Sequence, residues 1–294
     1  MKLLSFGEII WDIFQEQRNM GGAPLNLAAH VAIQGGDVWL ASAVGNDELG
    51  KSALTEIQAL DVKTEFVSIS PDAPTGQCTV SLDENGIPSY KILENAAYDN
   101  IVLPAPLGRT FDVISFGTLA LRNEKNRKIL ESVLHNNCFD EIYTDLNIRS
   151  PFYSEKSIDL CLSHATIVKI SDEELPLVTK TALNTVLDPI EAAKAIAKHY
   201  SQIRLILITK GENGAFCYEC ANGRMYNCAA EPATVVSTVG AGDSFGATFL
   251  TQYMKTNDIA QSMTLASKVS AFVVSHQGAV PPDIKKFIKN VVLY

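Results

Sequence analysis

The chain has 294 residues, of which 47% are hydrophobic and 19% are charged. This composition is typical of a folded protein with a sizeable core, and the length fits one large domain or two smaller ones. The formal net charge is −9 and no run is rich in Lys and Arg. These features argue against a nucleic-acid-binding protein, because little would neutralise a phosphate backbone. ATP is not excluded, since a single nucleotide needs only local donors and a metal ion.

The sequence contains no apolar run of about 18 residues, so we predict no membrane span. It begins directly with the strand-like segment Lys2–Phe6, so we expect no signal peptide and a cytoplasmic protein. Six cysteines are too few for a disulfide scaffold. Cys217 and Cys220 form a CxxC pair near Cys228, but no second pair accompanies them and the segment is typical of a β-hairpin. We therefore expect reduced thiols rather than a zinc or redox site.

The N-terminal part of the chain alternates between strands and helices. Strands are predicted at residues 2–14 and 38–44, and helices at about 24–34 and 48–60. Asp12 is a carboxylate near the end of the first strand, and the first helix stops at Gly35-Gly36. This order predicts right-handed crossovers and a parallel sheet.

The rhythm changes after residue 60. Short strands are predicted at residues 64–69, 76–83 and 88–93, and the turn Asp83-Glu84-Asn85-Gly86 is typical of a hairpin. We expect residues of about 64–100 to form a small β-strand lid over the edge of the sheet. Such lids commonly close a site and exclude water.

From residue 112 the α/β alternation resumes. Strands are predicted near 112–116, 141–146, 166–170 and 203–209, helices near 123–136, 154–163, 172–179 and 189–199, and a hairpin at about 214–229. The last 55 residues are predicted to form helices at roughly 241–255, 259–276 and 281–290. Because no repeat or long linker interrupts the chain, we expect one α/β domain over residues 1–294, with helices around a mostly parallel central sheet.

The most informative stretch is Ser237–Gly246, which follows a β-rich segment, Thr234-Val235-Val236, and leads into an amphipathic helix. Small residues at a helix start let several N–H groups point at one anion. Asp243 adds a carboxylate in the same turn, which suits phosphoryl transfer to a hydroxyl. The stretch has neither the Lys of a P-loop nor the third Gly of a dinucleotide fingerprint, where Phe245 stands instead. An ordinary helix start is the alternative.

Two separated motifs carry a family resemblance. Gly21-Gly22-Ala23-Pro24-Leu25-Asn26 is similar to a Gly-Gly-x-x-x-Asn helix start, and Ser237-Thr238-Val239-Gly240-Ala241-Gly242-Asp243 is similar to an Asp-Thr-x-Gly-Ala-Gly-Asp signature. With Gly35-Gly36 and the run Val44–Gly50 between them, the chain resembles the PfkB (ribokinase-like) carbohydrate kinases over almost its whole length. The resemblance implies a three-layer αβα sandwich with a small β-strand lid.

Within that family the chain is most similar to bacterial fructokinases. The segments that carry this finer likeness are less specific than the two signatures: Thr75-Gly76, Leu82–Pro88, Glu94–Asp99, Phe116–Arg122 and Asp145–Arg149.

The resemblance assigns roles around the phosphoryl group and the sugar. It makes Asp243 the catalytic base, with the backbone amides of Gly240, Ala241 and Gly242 stabilising the transferred phosphate; the alternative for Asp243 is a helix cap. The residues implied for the sugar are Asp12, Gly21, Gly22, Asn26 and Arg149. For Asp12, Asn26 and Arg149 the alternatives are a solvated turn residue, a capping amide and a surface ion pair.

The resemblance also implies a nucleotide and a metal site. Glu174 would help to hold Mg²⁺ through water, although Ser171 replaces the family's usual Asn and the two residues also fit a capping box. The residues implied for ATP are Lys169, Thr209, Gly211, Gly214, Thr238, Ala266, Ser275 and Gly278. For the apolar residues of the adenine pocket a plain core position is the alternative. Ser237 replaces an Asp that frames a monovalent-cation loop in relatives, so the resemblance does not carry potassium activation over to this chain.

The expected activity is transfer of the γ-phosphoryl group of ATP to a primary hydroxyl of a sugar, most simply the 6-hydroxyl of D-fructose. The alternatives are a kinase for ribose, 2-keto-3-deoxygluconate or a nucleoside, a non-catalytic sugar sensor that keeps the fold, and a dinucleotide-binding oxidoreductase. Exposed lid strands offer edges for pairing, so we also expect a homodimer through the lid.

Overall fold

The computed structural model describes residues 1–14, 17–82 and 88–292. Its strands are β1 (Lys2–Phe6), β2 (Ile10–Phe14), β3 (Gln17–Gly21), β4 (Asp37–Gly45), β5 (Lys63–Ser70), β6 (Gly76–Leu82), β7 (Pro88–Ile92), β8 (Val113–Phe116), β9 (Glu141–Asp145), β10 (Ile167–Ser171), β11 (Leu205–Thr209), β12 (Ala215–Glu219) and β13 (Arg224–Cys228). Its helices are α1 (Ala23–Ile33), α2 (Glu48–Ala59), α3 (Glu124–Asn136), α4 (Glu155–His164), α5 (Leu175–Leu183), α6 (Pro189–His199), α7 (Ala241–Thr256), α8 (Ile259–Val274) and α9 (Ile284–Val292). The predicted turn at 83–86 lies outside the described residues.

A nine-stranded sheet forms the centre of the molecule, in the order β13-β12-β11-β10-β9-β8-β1-β4-β5. Its strands pair in parallel from β5 to β11, and only β12 and β13 are antiparallel. Successive side chains of a strand point to opposite faces. Accordingly, Leu3 packs in the cluster that contains α1, α2, α7 and α8, whereas Leu4 packs in the cluster that contains α3, α4 and α6. The predicted three-layer αβα architecture is confirmed.

A second sheet has four strands in the order β3-β2-β6-β7. The predicted extent of the lid, about 64–100, is therefore wrong at its start: β5 pairs in parallel with β4 in the large sheet, while β2 and β3 belong to the small one. The single strand predicted at 2–14 is in fact two strands. They divide at Gly7, which approaches α1 so closely that a Cβ would lie 2.4 Å from Cγ of Pro24. Sequence periodicity missed this division because both strands are apolar.

The segment before α7 also differs from the prediction, because Thr234–Val236 is not a strand. Instead, the amides of Val236 and Ser237 both donate to the carbonyl of Val274, at 2.9 and 3.1 Å. The side chains of Val235 and Val239 are exposed, so no sheet partner covers this segment among the described residues.

The C-terminal hairpin is formed by β12 and β13, as predicted, and it contains the cysteine pair. Cys217 is buried, Cys220 is partly buried, and both are free thiols. Within the part of the chain that the structure describes, no helix combines the length and apolar character needed to span a bilayer.

Several loops meet at one edge of the large sheet because the strands before them are parallel. The strands β1, β8, β9 and β10 run in the same direction, so the residues that follow them lie along one edge of the sheet. The helix α1 packs against α7, and residues at the starts of both helices line a cleft at this edge. Ligands of open α/β sheets commonly bind at this place.

Candidate active site

A cleft of about 350 Å³, continuous with solvent, lies at the carboxyl edge of the large sheet. The loops after β1, β8 and β9 line it together with the starts of α1 and α7. The side chains with polar or ionisable groups that line it are Glu8, Ser115, Thr118, Tyr143, Asp145, Asn147 and Asp243.

Asp243 lies in the first turn of α7 and faces this cleft. The side-chain amide of Asn26, in α1, donates a hydrogen bond of 2.7 Å to its Oδ2. Burial raises the pKa of Asp243, while Asn26, Lys169 and Arg149 act in the opposite direction. A carboxylate with a raised pKa is a better proton acceptor, and the bond from Asn26 fixes its orientation. Two predicted site residues that are 217 positions apart in sequence are thus in contact.

The start of α7 has the geometry of an anion cradle. Gly240 precedes the helix with φ of 77°, and a Cβ there would lie 2.6 Å from Cα of Ala279. Only glycine fits this position without strain. The amide of Ala241 donates to the carbonyl of Thr238 at 3.2 Å, so one of the three predicted phosphate donors already has a partner within the protein. A Cβ on Gly242 would lie 3.2 Å from Nζ of Lys169, which places this ammonium beside the cradle.

Lys169 and Asp145 form a buried ion pair, with Nζ 2.8 Å from Oδ2. Burial raises the pKa of Asp145 to about 6, although Lys169 opposes this. Burial lowers the pKa of Lys169, but the negative charges of Asp145, Glu174 and Asp243 outweigh it, so its pKa is raised. The ammonium therefore stays protonated between the cleft and the start of α7.

Glu174 lies where β10 leads into α5, and local donors already surround its carboxylate. It accepts hydrogen bonds from the amide of Ile148 at 2.5 Å, the amide of Ser171 at 2.8 Å and the hydroxyl of Ser171 at 2.9 Å. The amide of Glu174 donates back to the Ser171 hydroxyl at 3.2 Å. Ser171 and Glu174 therefore form the reciprocal hydrogen bonds of the capping-box alternative. Because this turn precedes α5, the helix begins at Leu175 rather than at the predicted residue 172.

The charges near Lys169 fit a hydrated divalent cation. The carboxylates of Asp145, Glu174 and Asp243 all raise the pKa of this one ammonium. No group of three metal-ligating side chains occurs among the residues of known placement. Mg²⁺ keeps several of its waters and needs few protein carboxylates, so Asp145 and Glu174 fit a site in which water bridges them to the ion.

The residues predicted for the sugar lie in β2, at the junction of β3 and α1, in α1 and after β9, and none of them is among the residues that line the cleft. Asp12 lies in β2 of the small sheet, and burial raises the pKa of its partly buried carboxyl group. A Cβ on Gly21 would lie 3.5 Å from Oδ2 of Asp12. Gly22 has φ of 114°, and a Cβ there would lie 2.5 Å from the Glu8 carbonyl, so the tight turn requires glycine. Arg149 is exposed, yet its charge lowers the pKa of Asp12, Glu8 and Asp243 alike.

The residues predicted for the nucleotide divide into two groups. Gly211 and Gly278 are exposed with open space around them, Thr209 is partly buried at the end of β11, and Ser275 ends α8 with its hydroxyl donating to the Phe272 carbonyl. By contrast, Gly214 lies against the backbone of Cys228, and Ala266 is completely buried in the core. Ala266 therefore has no exposed surface with which to contact a ligand in this structure.

Two carboxylates of the cleft were missed by the sequence analysis, Glu8 and Asp145. Burial raises the pKa of Glu8 to about 7, with the amides of Glu8 and Ala23 and the charge of Arg149 opposing it and the charge of Asp243 adding to it. Each residue had a signal: Glu8 is the only carboxylate in the apolar run Leu3–Trp11, and Asp145 ends a buried parallel strand.

Comparison with known proteins shows the family to which this chain belongs. The "pfkB family carbohydrate kinase" profile matches residues 2–286. A fructokinase of Salmonella typhimurium is 26% identical over 302 residues, which cover 95% of either chain. The crystal structure of fructokinase from Vibrio cholerae O395 in fructose, ADP and calcium ion bound form has a TM-score of 0.80 at 22% identity, covering 95% of this chain and 94% of that one. Aminoimidazole riboside kinase from Salmonella enterica, complexed with aminoimidazole riboside and an ATP analog, has a TM-score of 0.81 at 21% identity, covering 98% and 99%.

The two structural matches are below 25% identity and show the fold alone, which is the ribokinase-like αβα sandwich expected from the sequence. The family profile, in contrast, spans nearly every residue and includes both glycine-rich motifs that meet at the cleft. The chain therefore belongs to the pfkB family of carbohydrate kinases.

Proposed function

We propose that this kinase transfers the γ-phosphoryl group of ATP to the 6-hydroxyl of D-fructose and produces fructose 6-phosphate. The observation that carries the proposal is the hydrogen bond from Asn26 to Asp243, which orients a carboxylate inside a cleft beside an anion cradle. Curated relatives named fructokinase support the choice of sugar, at 26% identity in Salmonella typhimurium and 25% for a probable fructokinase of Arabidopsis thaliana.

Asp243 acts as the base in this proposal. Phosphoryl transfer has a loose transition state, so the enzyme chiefly positions the reactants and stabilises charge. Asp243 would accept the proton of the attacking hydroxyl while Asn26 holds its carboxylate in place. The amides of Gly240 and Gly242 would donate to the phosphoryl oxygens as their charge develops, and Lys169 would add a fixed positive charge beside them. Asp12 and Arg149 would hold other oxygens of the sugar.

Mg²⁺ would be held through water by Asp145 and Glu174. When bound, it would neutralise charge on the phosphates. On the nucleotide side, Thr209, Gly211, Thr238, Ser275 and Gly278 would surround ATP, since they lie near the ends of β11 and α8 and in the segment before α7.

The small sheet is the proposed dimer interface and lid. The strands β3 and β7 are its edges, and Gln17, Arg18 and Asn19 of β3 are exposed. Unpaired strand edges favour pairing with a second chain. Sedimentation velocity measurements of the purified protein would show a species of twice the chain mass; a monomer at all concentrations would contradict this part of the proposal.

Consumption of ATP in the presence of fructose, ribose, 2-keto-3-deoxygluconate, other hexoses and nucleosides tests the function. We expect the highest kcat/KM with fructose and formation of fructose 6-phosphate. The Asp243→Asn variant is the control for contaminating kinases, and we expect its kcat to be lower by roughly 10²- to 10⁴-fold with an unchanged fold. Another preferred acceptor would overturn the choice of fructose, and activity with none of them would favour a sugar sensor.

A further inference from the structure

Glu8 differs from the other buried carboxylates of this protein. Among the described residues, four Asp or Glu side chains are buried, and Glu8 is only 4% exposed. The other three each form an ion pair with a basic side chain: Asp99 with Arg122, Glu141 with Arg204 and Asp145 with Lys169. No basic side chain of the described residues reaches ion-pair distance from Glu8. Buried charges are rarely left without a partner, so this exception needs an explanation.

The position of Glu8 supplies one. It lies between β1 of the large sheet and β2 of the small sheet, and it lines the same cleft as Asp243. The amide of Ala23, in the first turn of α1, lies close enough to favour its ionised form. Glu8 is thus a buried carboxylate that lines the cleft and has two backbone amides, but no basic side chain at ion-pair distance among the described residues, close to it.

A polar group in the same part of the molecule lacks a hydrogen-bond partner. It is the hydroxyl of Tyr98, which is buried and has no partner among the described residues. Its pKa is raised by burial, lowered by Arg122 and raised again by the charge of Glu8. Gly76 lies between the ring of Tyr98 and the carbonyl of Ile9, the residue that follows Glu8. Unsatisfied buried polar groups are costly, and they concentrate where a ligand or water completes them.

We infer that the Glu8 carboxylate accepts a hydrogen bond from a hydroxyl group of the acceptor sugar and is a specificity-determining residue of the sugar site. The inference rests on the proposed sugar kinase function. Glu8 and Asp243 line the same cleft, and the charge of Asp243 raises the pKa of Glu8 while that of Arg149 lowers it. A polyol bound in this cleft can donate a hydrogen bond from a different hydroxyl to each of the two carboxylates.

The Glu8→Gln variant tests the inference with the sugar that the wild type phosphorylates best. We expect its KM for this sugar to rise roughly 10- to 100-fold, because a hydrogen bond to a charged acceptor is replaced by a weaker one. The KM for ATP should stay within about twofold. Glu219→Gln is the matched control, since Glu219 lies in the β12–β13 hairpin and accepts hydrogen bonds from Asn222 and Tyr226. It should change neither KM.

A series of acceptor analogues, each lacking one hydroxyl, separates recognition from a structural effect. For one analogue, wild type and Glu8→Gln should have the same kcat/KM, because the hydroxyl that Glu8 binds is absent. For the other analogues the loss should persist. An equal loss with every analogue, or a rise in the KM for ATP alone, would overturn the role of Glu8.

Thermal unfolding of each Glu8 variant checks that the variant is folded. We expect Glu8→Gln to be at least as stable as wild type, because it removes a buried carboxylate without a cation partner. Should this variant not fold, Glu8→Asp keeps the charge but withdraws the carboxylate, and it should lose discrimination for the same hydroxyl. A wild type that phosphorylates no sugar overturns the proposed function together with this inference, whereas an active wild type with an even loss in the variants overturns only the inference.

Discussion

His30 of α1 and the carbonyl of Ala279 form a buried hydrogen bond, 2.8 Å from Nε2 to oxygen. Ala279 in turn packs against Gly240 at the start of α7. The helix that carries Asn26 is thereby joined to the loop that supports the phosphate cradle.

This contact predicts a loss of stability in acid. Burial lowers the pKa of His30 to about 4, although the Ala279 carbonyl opposes it, so the native state holds this imidazole neutral. Between pH 6.5 and about 4 the unfolded chain binds a proton at His30 that the native protein does not bind. The free energy of unfolding therefore falls as the pH is lowered through this window. The loss from this group is on the order of 3 kcal/mol. Urea unfolding at pH 7 and pH 5 measures the part of this loss that is reached by pH 5, about 2 kcal/mol, and in the His30→Gln variant the difference between the two pH values should shrink. An unchanged difference would contradict the prediction.

The bond from Asn26 should tune the base as well as orient it. It lowers the pKa of Asp243, so its removal in Asn26→Ala should raise that pKa further. The acid limb of the pH profile of kcat/KM should then move to higher pH, and kcat at neutral pH should fall. Rate measurements from pH 5 to pH 9 check this. A fall in kcat with an unmoved acid limb would show that Asn26 acts on orientation alone.

Gly240 should be the least replaceable glycine of the cradle. In Gly240→Ala, positive φ costs about 1–2 kcal/mol and the contact with Ala279 adds to it. The matched control is Gly108→Ala, since Gly108 also has positive φ, 72°, but has open space around it. We expect a larger drop in unfolding temperature for Gly240→Ala, and a loss of kcat in that variant only. Equal drops in the two variants would show that the Ala279 contact adjusts without cost.

The Lys169–Asp145 pair should be needed for stability as a pair. Asp145→Asn leaves a buried ammonium without its nearest counter-charge and should lower the free energy of unfolding by roughly 3 kcal/mol. The double variant Lys169→Met, Asp145→Leu should recover much of this loss, because neither charge remains buried. Chemical denaturation of the wild type and the two variants compares their free energies of unfolding. A double variant at least as destabilised as Asp145→Asn would show that the pair does not act as a unit.

Much of the fold is predictable because its signals are local. The structure confirms α6 at the predicted residues 189–199, where Asp188 accepts hydrogen bonds from the amides of Ile190 and Glu191 and Pro189 begins the helix. Likewise, Asp47 caps α2 at the predicted position. A cap depends on residues within one turn of the chain, so the sequence displays it directly.

Sheet membership and the cleft are less predictable because their causes are not local. The position of β5 in the sequence, just before β6 and β7, predicts a lid strand, yet β5 pairs with β4 of the large sheet. Glu8 reads as part of a buried strand, and only the packing of α1 against α7 places it opposite Asp243. The family resemblance compensates in part, since it predicts that Asn26 and Asp243 share a site although no local signal relates them.

Only Gly7, Glu8 and Ile9 connect β1 of the rigid sandwich with β2 of the small sheet. A tether of three residues has little slack, so any rotation of the small sheet over the cleft must turn the backbone that bears Glu8. If the small sheet is the proposed lid, occupancy of the cleft at Glu8 and the angle between the two sheets are therefore linked.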